Sequence, residues 1–288
     1  MMVGVSPAFV LSLYGTGFSV ADFGDALPRI ARLGFSAFQP EVYVSAALPE
    51  WLREARSLRR TAEDLGLVPT QFVAHFMLEW FARPERLDPD LGLDHLKRVV
   101  DIARALPACP VVTVPTGPFQ ADWDSCATSP AAWRDMQKRL SEKIRRYLEV
   151  VSSAGLKLAF EIMPFSVIGG IRRFLAVCDE IGSPDLGLNL DTGHAWACRE
   201  QIPLLPFELR GRIFGTHLGD NRSAENVKMP LGRGTVPWAP FLRNLRAAGY
   251  RGSLDIEIGC ASDEAEDRYR EGLGYILSLD NAPQGESV

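Results

Sequence analysis

Four residues with metal-binding side chains stand at the carboxyl ends of four short apolar segments. The segments read LKLAFE, LGLNLD, IFGTH and LDIE, and they end at Glu161, Asp191, His217 and Glu257. Successive members of this set are separated by 30, 26 and 40 positions, about the length of one strand and one helix. Because the carboxyl ends of parallel barrel strands meet at one face, this spacing predicts one metal site built from four consecutive strands.

The ligand set is rich in oxygen, with three carboxylates and one imidazole. Such a set suits Mn²⁺, Mg²⁺ or Co²⁺ better than a thiolate site would, and Zn²⁺ also accepts these ligands. A single glutamate at a strand end is most often a solvated carboxylate. Four such residues in phase favour a built site, so we expect one divalent metal ion, with Mn²⁺ as the first choice.

The rest of the chain alternates short β-type segments with longer amphipathic segments. One helix is expected to begin at Ser19, because Ser19 and Asp22 have the spacing of an N-terminal capping pattern. Eight strand–helix units without a linker predict an α/β fold: a (β/α)8 TIM barrel that forms a single domain over residues 1–288, with a frayed tail at about 281–288. An open doubly wound sheet is the alternative. The first four strands are expected at AFVLSLYG (8–15), FSAFQPE (35–41), VPTQFVAH (68–75) and CPVVTVP (109–115).

Residues two positions before each ligand are expected to share the barrel interior, because side chains alternate across a strand. These residues are Ala159, Asn189, Gly215 and Asp255. Small or polar side chains suit a narrow interior, but a carboxylate there is unusual. We therefore expect either that Asp255 lies behind the predicted ligands or that the register of the last strand is shifted.

Several motifs resemble those of the xylose-isomerase-like TIM-barrel superfamily of sugar (phosphate) isomerases and epimerases. They are FEIMPFS, LNLDTGH, THLGDN, PLGRGTVPW and LDIEIG. The resemblance covers nearly the whole chain and is most specific over residues 157–258. It implies that Glu161, Asp191, His217 and Glu257 hold one divalent metal ion, and that the two glutamates are also the catalytic acid/base pair.

Four further residues are predicted to bind substrate. His194 follows Asp191 by three residues in LDTGHAW, so its ring can face the same cavity. The resemblance implies that His194 and, approximately, Arg222 match substrate-binding positions. His75 and Glu41 end the third and second expected strands and point to the same mouth, although a packed histidine and a surface ion pair are the ordinary alternatives.

The resemblance and the ligand set predict a metal-dependent isomerase or epimerase of a small carbohydrate, a keto-sugar or related polyol. The reaction would pass through a metal-stabilised ene-diolate. Val167 stands where the epimerases carry a further glutamate, six residues after Glu161, so a specific 3-epimerase is not implied. Three alternatives stay open: a carbon–oxygen lyase of the inosose or dehydroshikimate dehydratase type, a C-glycoside-cleaving subunit, and a non-catalytic metal-binding partner subunit.

The composition and motifs argue against several classes of binding partner. The net charge is −5, and the segments PVVTVPTG and PLGRG lack the extra histidines and the Asp-x-His motif of the superfamily's DNA-repair endonucleases, so nucleic acid is not an expected partner. No apolar stretch reaches the ~18 residues of a membrane span, and the N-terminus lacks the basic region of a signal peptide. The five scattered cysteines fit reduced thiols. We expect a cytoplasmic protein, with a homodimer as a family-level expectation.

Overall fold

Eight parallel strands form one closed barrel in the computed structural model, which describes residues 1–106, 108–126 and 129–280. The predicted frayed tail, 281–288, lies outside the described residues. In chain order the strands are β1 (Val3–Val5), β2 (Ala37–Phe38 and Glu41–Val42), β3 (Val68–Pro69 and Phe72–Ala74), β4 (Val111–Thr116), β5 (Lys157–Ile162), β6 (Leu186–Asp191), β7 (Ile213–His217) and β8 (Leu254–Ile256).

Neighbouring strands pair in parallel all the way around the barrel. β1 lies between β8 and β2, and β2 to β7 follow one another in order. The ring closes between β7 and β8 through a parallel bridge of Leu218 with Ile256, beside a 2.9 Å hydrogen bond from the Glu257 amide to the Leu218 carbonyl. This closure confirms the predicted (β/α)8 barrel and is incompatible with an open sheet.

Helices follow the strands and bury their apolar faces against the sheet. The capping pattern at Ser19 is confirmed, because the Ser19 hydroxyl accepts from the Asp22 amide while the Asp22 carboxylate accepts from the Ser19 amide. Among the described residues, no helix is both long and apolar enough to cross a membrane. The α-helices are α1 (Ala8–Tyr14), α2 (Val20–Arg32), α3 (Leu48–Asp64), α4 (Leu93–Ala105), α5 (Trp123–Cys126), α6 (Pro130–Ser152), α7 (Ile171–Ile181), α8 (Thr192–Ala197), α9 (Leu205–Glu208), α10 (Trp238–Ala247) and α11 (Ala265–Asp280), and 3-10 helices cover Ser45–Ala47, His75–Phe81 and Pro84–Leu87.

The first strand was predicted in the wrong segment. Residues 8–15 form helix α1 and its C-terminal glycine, and the strand is the preceding VGV. Pro7 stands directly before α1 with helical backbone angles (φ −56°, ψ −20°), and a proline at this position favours a helix start. Phe9 then packs edge-on against Tyr269 of α11, with ring centroids 4.9 Å apart. A short apolar run is compatible with either structure, and here packing against α11 selected the helix.

Polar side chains fill the barrel interior behind the carboxyl ends of the strands. Gln71 donates to Asn189 Oδ1 at 2.7 Å and accepts from the Thr113 hydroxyl at 2.5 Å. Asp255 is completely buried, accepts a hydrogen bond from the Ser253 hydroxyl, and has a pKa that burial raises to about 6. The predicted register of β8 is therefore right, and Asp255 is a buried polar group within the barrel.

Candidate metal centre

The four predicted ligands come together at the carboxyl ends of β5 to β8. One ligand atom each from Glu161, Asp191, His217 and Glu257 can be chosen so that all four lie within 4.8 Å of one another. The four residues are buried, with exposed fractions between 2% and 5%. A cluster of this size and chemistry is small enough to surround a single cation.

The turns that follow β6 and β7 are tied together directly beneath the cluster. Asp191 and His217 are register partners in adjacent strands. The Thr192 hydroxyl donates to the Gly219 carbonyl at 2.8 Å, and the Thr192 hydroxyl oxygen accepts from the Gly219 amide at 3.1 Å. Asp191 also caps α8, because its Oδ1 accepts from the His194 amide at 2.7 Å. These bonds hold the Asp191 carboxylate in place and join the two turns that follow Asp191 and His217.

The donor atoms fit a divalent cation. Nδ1 of His217 lies 3.3 Å from Glu161 Oε2 and 3.6 Å from Glu257 Oε1, and it has no hydrogen-bond partner in the part of the chain that the structure describes. Three carboxylates buried together repel one another, and an uncompensated buried charge is costly. A cation between them removes that repulsion, and the oxygen-rich set matches the predicted Mn²⁺, Mg²⁺, Co²⁺ or Zn²⁺.

The pKa shifts within the cluster indicate that its buried negative charges are stabilised by nearby positive charge. Burial, together with the charges of Glu257 and Glu161, raises the pKa of Asp191 well above its ordinary value. Burial alone would raise the pKa of both glutamates. At Glu161 the combined effect of His217 and His194 outweighs burial, and at Glu257 the combined effect of Lys228, the two histidines and Asp191 outweighs it, so both values are lowered. Burial alone would lower the pKa of His217, yet Glu257 and Glu161 raise it to about 10.

Lys228 joins the site from the loop that follows β7, and the sequence analysis missed it. Its Nζ donates to Glu257 Oε1 at 3.0 Å, and 35% of its side chain is exposed. Asp220 organises the loop by accepting hydrogen bonds from the Gly232 amide and the Trp238 indole at 2.8 and 3.0 Å. The only sequence signal was a lysine between the motifs THLGDN and PLGRGTVPW, and that signal does not show which way the loop turns.

Asn226 accompanies Lys228 in the same loop. Its amide nitrogen lies 3.4 and 3.5 Å from the two carboxylate oxygens of Asp191, and its Oδ1 accepts from the Lys228 amide at 3.1 Å. A Cβ atom at Gly193 would overlap the Asn226 side chain, so glycine leaves the space that this contact needs. The loop therefore contacts two of the four predicted ligands.

The sequence matches the xylose isomerase-like TIM barrel family over residues 27–279. The chain belongs to this family. Among curated proteins, this family member is similar to L-ribulose-5-phosphate 3-epimerase UlaE of Escherichia coli (strain ATCC 8739), with 26% identity over 133 residues. The aligned region covers 46% of each protein, so the match spans about half the length of that relative.

Solved structures resemble the family member over almost its whole length. L-ribulose 3-epimerase matches with a TM-score of 0.76 at 18% identity, covering 99% of both chains. The IOLI protein with a binding zinc atom matches with a TM-score of 0.73 at 14% identity, covering 99% of this chain and 100% of the other. At such identities the likeness shows the fold alone. Several of these relatives and neighbours are named as sugar epimerases.

His194 lies directly beside the four predicted ligands. Its Nε2 is 3.6 Å from Glu161 Oε1 and 3.6 Å from Asp191 Oδ2. Neither ring nitrogen has a hydrogen-bond partner within the described residues. Burial lowers the pKa of His194, which favours the neutral ring. The structure thus leaves both polar atoms of this buried ring available to another molecule.

Glu41 and His75 lie at the same mouth, and Arg222 lies farther out. Glu41 begins the second segment of β2 and has a 3% exposed fraction, and burial raises its pKa to about 8. His75 stacks on Tyr43 with ring centroids 4.1 Å apart, and burial lowers its pKa. Arg222 is exposed, and its backbone amide donates to Asn221 Oδ1 at 2.8 Å. The structure does not bring the Arg222 side chain into the cluster.

Proposed function

We propose that this family member is a divalent-metal-dependent isomerase or epimerase of a small carbohydrate. One observation carries the proposal: Glu161, Asp191, His217 and Glu257 place buried ligand atoms within 4.8 Å of one another at the active face of the barrel. Sugar epimerases among the relatives support the reaction class, and the zinc named in the IOLI structure supports a divalent ion. Mn²⁺ is the first choice because the ligand set is rich in oxygen.

In this proposal the two glutamates transfer the protons. A bound divalent cation would polarise a substrate carbonyl and make the neighbouring C–H bond more acidic. Glu161 and Glu257 flank Nδ1 of His217, at 3.3 and 3.6 Å. One carboxylate takes the α-proton and the other returns a proton, to the opposite face for an epimer or to the next carbon for an isomer. A carboxylate is a weak base, so close positioning supplies much of the rate.

Polar groups around the cluster orient the substrate in this proposal. Within the described part of the chain, His194 offers two ring nitrogens without a hydrogen-bond partner, and Glu41 offers one such oxygen, Oε2. These atoms suit the hydroxyl groups of a polyol, which both donate and accept. His75 at the mouth and Arg222 in the exposed loop belong to the same proposed contact set. A cytoplasmic location and a homodimer are the remaining parts of the proposal, and they rest on the family-level expectation.

Incubation in deuterated water tests the reaction class. The protein with Mn²⁺ is given ketohexoses, L-ribulose and its 5-phosphate, inososes and dehydroshikimate, and the products are analysed by mass spectrometry and NMR. Deuterium uptake at carbon without other change of mass is the expected result. Loss of water would instead identify a carbon–oxygen lyase, and absence of exchange with every substrate would contradict the proposal. The Glu161→Gln protein serves as the inactive control.

A further inference from the structure

A buried glutamine contacts the side of the His217 ring that faces away from the carboxylates. Oε1 of Gln39 lies 2.7 Å from Nε2 of His217, and the two residues have exposed fractions of 1% and 2%. Gln39 sits where β2 is interrupted between its two short segments, so its side chain enters the barrel interior. The contact links the second strand to the seventh across the barrel.

The surroundings of Gln39 decide which way its amide points. Its Nε2 lies 3.3 Å from the carbonyl oxygen of Thr216, an atom that can only accept a hydrogen bond. The Asp255 carboxylate interacts with the same amide and also accepts. The NH₂ group must therefore face these acceptors, which turns Oε1 toward His217. An acceptor at 2.7 Å requires a hydrogen on Nε2 of His217 and leaves Nδ1 facing Glu161 and Glu257.

We propose that Gln39 is a positioning residue for the metal centre. By holding the Nε2–H form of His217 and the plane of its ring, Gln39 would leave the Nδ1 lone pair free to bind a divalent cation. The inference rests on the proposed metal site and adds a residue to it. Partners of this kind on ligating histidines change metal affinity by about 10–100-fold in other metal sites.

Gln71 provides a matched control within the same barrel. It sits in the corresponding interruption of β3, and its exposed fraction is also 1%. Its side chain contacts Asn189 and Thr113, and neither is a predicted ligand. Replacing Gln71 therefore disturbs the buried polar interior as much as replacing Gln39 does, without touching a ligating histidine.

Metal affinity is the first test. Mn²⁺ and Co²⁺ binding is measured by calorimetry for the wild type, Gln39→Met, Gln39→Glu and Gln71→Met. We expect Gln39→Met to weaken binding by about 10–100-fold and Gln71→Met to change it by no more than about twofold. Gln39→Glu should recover most of the affinity, because a carboxyl oxygen still accepts from Nε2. Unchanged affinity in Gln39→Met, or an equal loss in Gln71→Met, would overturn the proposal.

The protonation of His217 is the second test and needs only the wild-type fold. The chain has four histidines, so a ¹⁵N-histidine spectrum can be assigned with one His217→Asn sample. In both metal-free and Zn²⁺-loaded protein, Nε2 of His217 should carry a slowly exchanging proton. An Nε2 without a proton would refute the role of Gln39. Neither test requires sugar turnover, so a wild type that binds metal but converts no sugar would contradict the proposed reaction and leave the Gln39 inference standing.

Discussion

Lys228 Nζ and Glu257 Oε1 lie 3.0 Å apart, so one of the two candidate proton-transfer carboxylates is directly paired with an ammonium group. Both glutamates neighbour His217, at 3.3 Å for Glu161 and 3.6 Å for Glu257, but Glu161 has the His194 imidazole at 3.6 Å where Glu257 has the ammonium group. The two glutamates therefore occupy different electrostatic surroundings. This asymmetry suits a site in which one carboxylate removes a proton and the other returns it.

Replacing Lys228 should shift the pH dependence of catalysis. Lys228 lowers the pKa of Glu257, so Lys228→Met should raise that pKa and move the acid limb of the kcat/KM profile to higher pH. We expect the acid limb to move by about one pH unit, which corresponds to the removal of one favourable charge interaction of ~1.4 kcal/mol.

Arg233→Met is the matched control for this change. Arg233 lies in the same loop after β7, its side chain is 66% exposed, and it lies 4.0 Å from the Glu271 carboxylate. Its pH profile should coincide with that of the wild type. A Lys228→Met profile with an unmoved acid limb would show that the ammonium group does not tune Glu257.

Excess metal should distinguish metal binding from proton transfer. Asp191→Asn removes a predicted ligand with no proton-transfer role, so high Mn²⁺ should restore part of its activity. Glu161→Gln removes a ligand and a proton acceptor together, so activity should stay at least about 10³-fold below wild type even when the site is saturated. Activity is measured across a Mn²⁺ titration, with bound metal followed by electron paramagnetic resonance. Recovery of the Glu161→Gln variant by metal would remove Glu161 from proton transfer.

Replacing His194 should weaken substrate binding and leave metal binding intact. Its Nε2 lies 3.6 Å from carboxylate oxygens of two predicted ligands and is unpartnered in the described structure. His194→Phe should therefore lower kcat/KM by about 10-fold or more, the effect of losing one or two hydrogen bonds, with the metal Kd within about threefold of wild type. His95→Phe on α4, whose ring packs against Trp80 at 5.6 Å, is the control. A large loss of metal affinity would instead identify His194 as a ligand.

Glu41 should make the metal-free protein less stable as the pH rises. Burial raises its pKa from about 4.5 to about 8, so between these values the unfolded chain has released a proton that the folded chain still holds. Stability from this group therefore falls as the pH rises through that window. Glu41→Gln lacks the effect. The unfolding free energy of the variant minus that of the wild type should therefore be at least about 1 kcal/mol larger at pH 8.5 than at pH 5.

Urea unfolding in the presence of a chelator measures this difference. Glu149→Gln, an exposed carboxylate on α6 with a 62% exposed side chain, should show no such dependence on pH. A Glu41→Gln difference that stays constant across the pH range would mean that the buried carboxyl is ionised throughout.

Most of the fold was predictable because each barrel strand carries a local pattern. The segments LGLNLD and IFGTH were located to the residue, since an apolar run that ends in a polar side chain leaves little choice of boundary. The segment 8–15 was misplaced because a seven-residue apolar run has no strict periodicity. Its helical form depends on packing against α11, about 250 residues away in the chain.

The sequence by itself predicted the barrel, the four strand-end side chains that form the candidate metal site, and the position of His194 beside them. These features follow from strand spacing and side-chain alternation, which are local or repeat at regular intervals. Only the tertiary structure decided that Lys228 pairs with Glu257, that Asn226 approaches Asp191, and that Gln39 contacts His217. Loop direction and contacts across the barrel depend on packing between distant segments, and no sequence period encodes them.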